Sequence, residues 1–265
     1  MAIINCTDDS FYAPSRTHAE EAVERSLAAV SAGASIVDIG GESTRPGADY
    51  VSAEEELRRV LPVVQGLRSL SDVAISVDTR KAQVARAVLE AGADIINDVS
   101  ALEDDGGLGP LCARCGAAVV LMHKKGIPTD MQNAPYYEDV VGEVGAYLAA
   151  AAARAVAAGI APDRIVLDPG IGFGKRVEDN LDLLARLAEI SGGGYPVLVG
   201  LSRKSFIGAL TGRGPEQRLA GTIAANAAAI AAGAHILRVH DVEETVDLVR
   251  VTAAIDSRSD GGRKG

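Results

Sequence analysis

The feature that most constrains this chain is a recurring phrase in which a periodic Ala-rich stretch ends at glycine and runs directly into a short β-branched segment. Ala32-Gly33-Ala34 leads into Ser35-Ile36-Val37-Asp38, and Ala91-Gly92-Ala93 into Asp94-Ile95-Ile96-Asn97. Ala232-Gly233-Ala234 leads into His235-Ile236-Leu237-Arg238-Val239-His240. Glycine suits the left-handed residue that ends a helix, and the β-branched run behind it reads as a strand. The same reading predicts eight apolar strands, at residues 2–4, 36–39, 73–77, 95–96, 118–122, 165–167, 197–199 and 236–239. A helical pattern follows each. Val23, Leu27, Val30 and Ala34 share one helix face, as do Leu57, Val60, Leu61 and Val64, with Ser52 and Glu55 spaced as a capping box before the second.

These strands are apolar throughout rather than alternating, so both faces must be covered, as in a parallel sheet between helices. Eight β-α units in 265 residues fit an α/β (β/α)8 TIM barrel, typically ~250 residues long, better than an open doubly wound sheet. A hydrophobic content of 48% can fill such a core without disulfides. No linker divides the chain, so residues 1–256 are expected to form a single barrel domain that opens directly on its first strand. The polar, Gly-rich residues 257–265 read as a disordered tail.

A net charge of -10 without a basic stripe excludes a nucleic-acid surface. No apolar run approaches ~18 residues and no signal pattern opens the chain, so no membrane is expected as a partner and the location expected is cytoplasmic. Cys112-Ala113-Arg114-Cys115 has redox spacing, but Cys6 is the only other cysteine, too few for a second pair. The three read as small hydrophobes in a reducing compartment, without redox or metal roles.

Chemistry is expected at the strand ends. Asn5 closes the first strand, Asp38 the second, Asp78 the third, Asn97 the fourth, His123 the fifth and Asp168 the sixth. Ser202, Arg203 and Lys204 follow the seventh, and Arg238 and His240 end the eighth. A single polar residue there is usually a turn former. Recurrence in nearly every unit describes a ring around the C-terminal mouth, where barrels of this kind keep their active sites. Carboxylates and amides can read the edge of a flat nitrogen heterocycle, while converging cations and a histidine suit phosphate or pyrophosphate. His123-Lys124-Lys125-Gly126 reads slightly better as a solvated charge run than as a substrate loop. Gly172-Phe173-Gly174-Lys175 lacks the spacing of a phosphate loop. Gln217-Arg218 and Asp139-Val140 read as solvated helix positions.

The local strings themselves resemble dihydropteroate synthase. Asp38-Ile39-Gly40-Gly41-Glu42-Ser43-Thr44-Arg45-Pro46-Gly47-Ala48 looks like the family's second signature loop, and Asn5-Cys6-Thr7-Asp8-Asp9-Ser10-Phe11 resembles its first. Ser202-Arg203-Lys204-Ser205 and Arg238-Val239-His240-Asp241-Val242 match its last two. Ser76-Val77-Asp78-Thr79, Ile96-Asn97-Asp98 and the run from Leu167 to Lys175 complete seven motifs, in order, over residues 1 to about 255.

The resemblance implies a transferase of folate biosynthesis that condenses 6-hydroxymethyl-7,8-dihydropterin pyrophosphate with p-aminobenzoate. Loss of pyrophosphate would come first, and attack by the aniline nitrogen second. It implies that Asp78, Asn97, Asp168 and Lys204 hold the pterin, and that Arg238 and His240 grip the pyrophosphate, with Asn5 placing a magnesium ion on it. Phe11, Thr44, Arg45, Pro46 and Ser205 would hold p-aminobenzoate. Asp78, Asp168, Lys204, Arg238 and His240 would be the catalytic set, while Asp38 and Glu42 lie nearby without an assigned role. It further implies a homodimer with sulfonamides as competitors. One departure concerns the first loop, where Tyr12-Ala13-Pro14-Ser15 stands in place of the family's Ser-Asp-Gly-Gly and should stiffen it. Two other readings compete: a methyltetrahydrofolate-binding methyltransferase barrel, which would not need the Ser-Thr-Arg-Pro-Gly, Ser-Arg-Lys or Arg-Val-His-Asp strings, and a pterin-binding paralogue without turnover.

Overall fold

A computed structural model describes residues 1–6, 16–42, 50–126, 135–191 and 193–261. Its strands are β1 (Ala2–Asn5), β2 (Ile36–Gly40), β3 (Ala74–Asp78), β4 (Ile95–Asp98), β5 (Ala118–Met122), β6 (Ile165–Asp168), β7 (Leu198–Val199) and β8 (Ile236–Leu237). The helices between and after them are α1 (Arg16–Ser31), α2 (Ala53–Leu70), α3 (Ala82–Glu90), α4 (Leu108–Cys115) and α5 (Val140–Ala157). They continue as α6 (Val177–Ala185), α7 (Leu187–Ser191), α8 (Ser205–Thr211), α9 (Leu219–Ala231) and α10 (Val242–Gly261). Each of the eight expected strands is present, within one or two residues at either end.

The strands pair in parallel and in chain order from β1 to β6, and β7 pairs with β8. Two bridges complete the circle: Leu167 to Val197 joins β6 to the start of β7, and Ala2 to Val239 joins the end of β8 to β1. At the second seam Ile3 N donates to Val239 O and Val239 N to Met1 O, both at 2.9 Å. The sheet is therefore a closed TIM barrel. Val37, Asp38 and Ile39 are all fully buried although consecutive, as a strand covered on both faces requires.

Helix ends follow the recurring phrase. Gly33, Gly92 and Gly233 have φ of 107°, 101° and 100°, and the alanine after each donates to the carbonyl five residues back, at 2.9–3.0 Å. This arrangement satisfies the last turn and turns the chain into the next strand. Ser52 caps α2 by accepting from Glu55 N at 3.2 Å, but the Glu55 carboxylate pairs with Arg58 and Arg59, so only half of the expected box forms. The buried face of α2 is Val60, Val63, Val64 and Leu67; Leu57 and Leu61 stand at its margin.

Two expectations change. α10 runs to Gly261, so the first part of the expected tail is helix, and residues 262–265 lie outside the described residues. α5 is long and apolar enough to cross a membrane by length and composition. Its buried side chains, among them Val144, Leu148 and Ala151, pack instead into the core cluster that contains the β5 and β6 side chains.

Candidate active site

Closure of the barrel brings the strand ends together, and their polar side chains meet across it. Asp38, fully buried, accepts from Ser76 Oγ at 2.6 Å, from Asn97 Nδ2 at 3.2 Å and from Arg238 Nε at 2.6 Å. Arg238 Nη2 reaches on to Asp78 at 3.2 Å. Among the described residues its Nη1 has no hydrogen-bond partner, which leaves a donor for a ligand. Gly40 ends β2 between Asn5 and Asp78: a Cβ there would lie 3.8 Å from Asn5 Oδ1 and 3.7 Å from Asp78 Cβ. Across the mouth Gly200 lies similarly close to Arg238 and the Lys204 ammonium. Two bare α-carbons thus leave room between the strand ends for a flat ligand.

Lys204 Nζ donates to the carbonyl of Ile171 and stands 4.7 Å from the centre of the Phe173 ring. Burial lowers its ammonium to about 8, opposed by the attraction of Asp168. Asp168 accepts from Gly170 N at 2.7 Å. Burial raises the carboxyls of Asp78 and Asp168, although Arg238 pulls the first down and Lys204 the second. Two carboxyls that are costly to ionise without a partner are primed for a ligand bearing N–H donors.

His240 sits at the rim, with Nδ1 3.0 Å from Ser202 Oγ. Ser205 is exposed at the first residue of α8. The turn before it is held by Arg203, which has a φ of 56° and a two-pronged pair to Asp241 at 2.6 and 3.0 Å. Arg218, expected to be solvated, donates to Arg203 O at 3.0 Å and braces the same turn.

Asn5, Asp78, Asn97, Asp168, Lys204 and Arg238 are therefore brought together as expected. Phe11, Thr44, Arg45 and Pro46 lie outside the described residues. His123 departs from both readings given to it: it is buried beside Lys175, Tyr137 and Tyr147, beneath the β6–α6 connection. Asp38, given no role from the sequence, is the node of the network. Its position at a strand end was the signal, but its partners were not legible.

Magnesium at Asn5 is corrected. Among the described residues no group of three or more His, Cys, Asp or Glu side chains is arranged to hold a metal ion. Asn5 offers one neutral amide oxygen, and the neighbouring carboxylates of Asp38 and Asp78 are engaged by Arg238.

An open hollow of about 660 Å³ lies elsewhere, lined by Lys125, Tyr136, Asp139 and Glu143 among others. It contains none of the strand-end ring, where the perturbed carboxyls converge, so the ring is the better candidate.

A barrel with a carboxylate- and amide-lined mouth is the frame of a pterin-binding enzyme, and the family described as "Pterin binding enzyme" matches residues 1–240. A dihydropteroate synthase of Escherichia coli (strain K12) is 49% identical over 265 residues, covering 99% of this chain and 93% of that relative. The structure of a Xanthomonas albilineans dihydropteroate synthase with 4-aminobenzoic acid superposes with a TM-score of 0.91 at 49% identity, covering 97% of this chain and 92% of the other. A Yersinia pestis dihydropteroate synthase in complex with a sulfonamide drug gives a TM-score of 0.91 at 44% identity, covering 97% and 94%. The chain belongs to the dihydropteroate synthase family, and it is an enzyme, a transferase.

Proposed function

We propose that the strand-end ring binds dihydropterin pyrophosphate and that the chain condenses it with p-aminobenzoate to give 7,8-dihydropteroate and pyrophosphate in folate biosynthesis. The observation that carries this reading is the convergence of Asp78, Asn97, Asp168, Lys204 and Arg238 from five different strand ends on one mouth. Its agreement with the relatives, one bound to 4-aminobenzoic acid, excludes the methyltransferase reading.

In this account Asp78 and Asp168 accept the N–H donors of the pterin, Asn97 adds an amide and Lys204 a cation to the ring's acceptors. Departure of pyrophosphate leaves a cationic pterin methylene, which the two carboxyls stabilise. Arg238 and His240 stabilise the leaving group. The aniline nitrogen then attacks, forming the new C–N bond and losing its proton. No nucleophilic serine or cysteine is needed; the site works through placed charge and orientation. The p-aminobenzoate end is assigned to the exposed Ser205 and, from the resemblance alone, to Phe11, Thr44, Arg45 and Pro46, which lie outside the described residues; sulfonamides would compete there.

The chain as a homodimer and its location in the cytoplasm are part of the same proposal. Exposed Val251 and Ile255, four residues apart on one face of α10, offer apolar surface for a second copy, and the thiols of Cys6, Cys112 and Cys115 are all unpaired, which suits a reducing compartment.

Fluorescence titration of 6-hydroxymethyl-7,8-dihydropterin pyrophosphate into wild type and Asp78→Asn tests the pterin assignment. Loss of a carboxyl that can ionise against the N–H donors of the pterin edge should weaken binding by about tenfold or more. Unchanged affinity in the variant overturns the assignment.

A further inference from the structure

The Gly172-Phe173-Gly174-Lys175 segment takes no part in the chemistry above, yet its lysine is only 3% exposed. Lys175 Nζ donates to Gly170 O at 3.0 Å and to Phe173 O at 3.1 Å, and lies 2.9 Å from His123 Nδ1. Burial lowers its ammonium to about 7. His123 is lowered to about 3, by burial and then by Lys175, so its neutral ring can accept. Placing an ammonium where no carboxylate pairs with it among the described residues is costly, and such a group persists where it organises its surroundings.

What it organises is the segment on which Lys204 rests. Ile171, between the two carbonyls that Lys175 holds, offers its own carbonyl to Lys204 Nζ. At Gly172 a Cβ would lie 3.3 Å from Lys204 Cδ, so the lysine stem lies directly on the bare backbone. The Phe173 ring faces the same ammonium. Below, Gly170 and Gly174 pass so close to the β5–α5 connection that a Cβ would fall 1.9 Å from His123 O and 2.1 Å from Lys125 O. Tyr137 closes the side by donating to Gly174 O at 2.9 Å.

We propose that Lys175 is a positioning residue for the pterin end of the site: by gripping the carbonyls of Gly170 and Phe173 from beneath, it fixes the Ile171 carbonyl and the Phe173 ring that place the Lys204 ammonium. This rests on the reading that Lys204 meets the pterin. A lysine that merely fills a buried space would change the amount of folded protein but not the affinity of the folded fraction.

The test is a thermodynamic cycle read by calorimetry, with 6-hydroxymethyl-7,8-dihydropterin pyrophosphate as probe and the p-aminobenzoate KM measured alongside. Lys175→Met should weaken the probe roughly tenfold, the scale of one misplaced charge-assisted hydrogen bond. The p-aminobenzoate KM should stay within about twofold, and Lys175→Met should add little to Lys204→Met, because coupled residues are non-additive. If Lys175→Met yields no folded protein, Phe173→Leu, which leaves the buried cation in place, must show the same non-additivity with Lys204→Met. Full affinity in Lys175→Met or Phe173→Leu, or effects that add to that of Lys204→Met, overturns the proposal. Full affinity in Lys204→Met overturns the pterin reading on which it rests.

Discussion

Asp78 shows at the scale of one residue how the site trades stability for recognition. Burial raises its carboxyl above the ordinary carboxylate range more than Arg238 lowers it. The native state therefore keeps a proton that the unfolded chain has released, and the contribution of Asp78 to stability falls as pH rises from that ordinary range toward the raised value. Asparagine does not titrate. The melting temperature of Asp78→Asn relative to wild type should therefore increase between pH 5 and pH 8, while catalysis is lost; a difference that stays constant across that interval contradicts the account. The identity of this residue was legible from its place after an apolar run. Its partner was not, because Arg238 lies 160 residues away in sequence and meets Asp78 only when the barrel closes. The Asp38 node was hidden for the same reason, with 200 residues between it and Arg238.

Among elements, the β6–α6 connection joins the fold to the chemistry. Gly170 has a φ of 64° and no room for a side chain above His123 O. Gly170→Ala must either strain this backbone or lift the connection from β5, and should cost at least about 2 kcal/mol. Urea denaturation should show that loss, and the surviving folded protein should bind pterin more weakly because the Ile171 carbonyl has moved. Normal stability together with normal affinity would show that the close approach is unimportant. The glycines that end helices were readable, since Gly33, Gly92 and Gly233 each precede a β-branched run and each adopts the positive φ that the phrase predicts. Gly172-Phe173-Gly174-Lys175 lacks the spacing of a phosphate loop, and its contacts to the two lysines run through backbone carbonyls, which leave no mark in side-chain pattern. Asn5 misled in the other direction: the resemblance implied a magnesium ion there, yet the nearby carboxylates are engaged by an arginine rather than free to join it around a metal.

For the molecule as a whole, eight covered strands and a closed ring of hydrogen bonds explain why a polar mouth can exist on so apolar a core. The seam between β8 and β1 brings Arg238 over Asp38 and Asp78, so closure and site assembly are one event. The architecture was legible because eight apolar strands are each followed by a helical pattern, and no single motif had to carry it. The p-aminobenzoate end is implied only through resemblance, since short polar strings such as Ser43-Thr44-Arg45-Pro46 have no periodicity to read, and these four lie outside the described residues. This mouth couples loss of pyrophosphate to capture by an aryl amine. The direct measurement is product formation from 6-hydroxymethyl-7,8-dihydropterin pyrophosphate with and without p-aminobenzoate. 7,8-Dihydropteroate and pyrophosphate are expected in equal amounts when both substrates are present, with no dihydropteroate when either is omitted; binding of both substrates without any dihydropteroate formed would contradict this coupling.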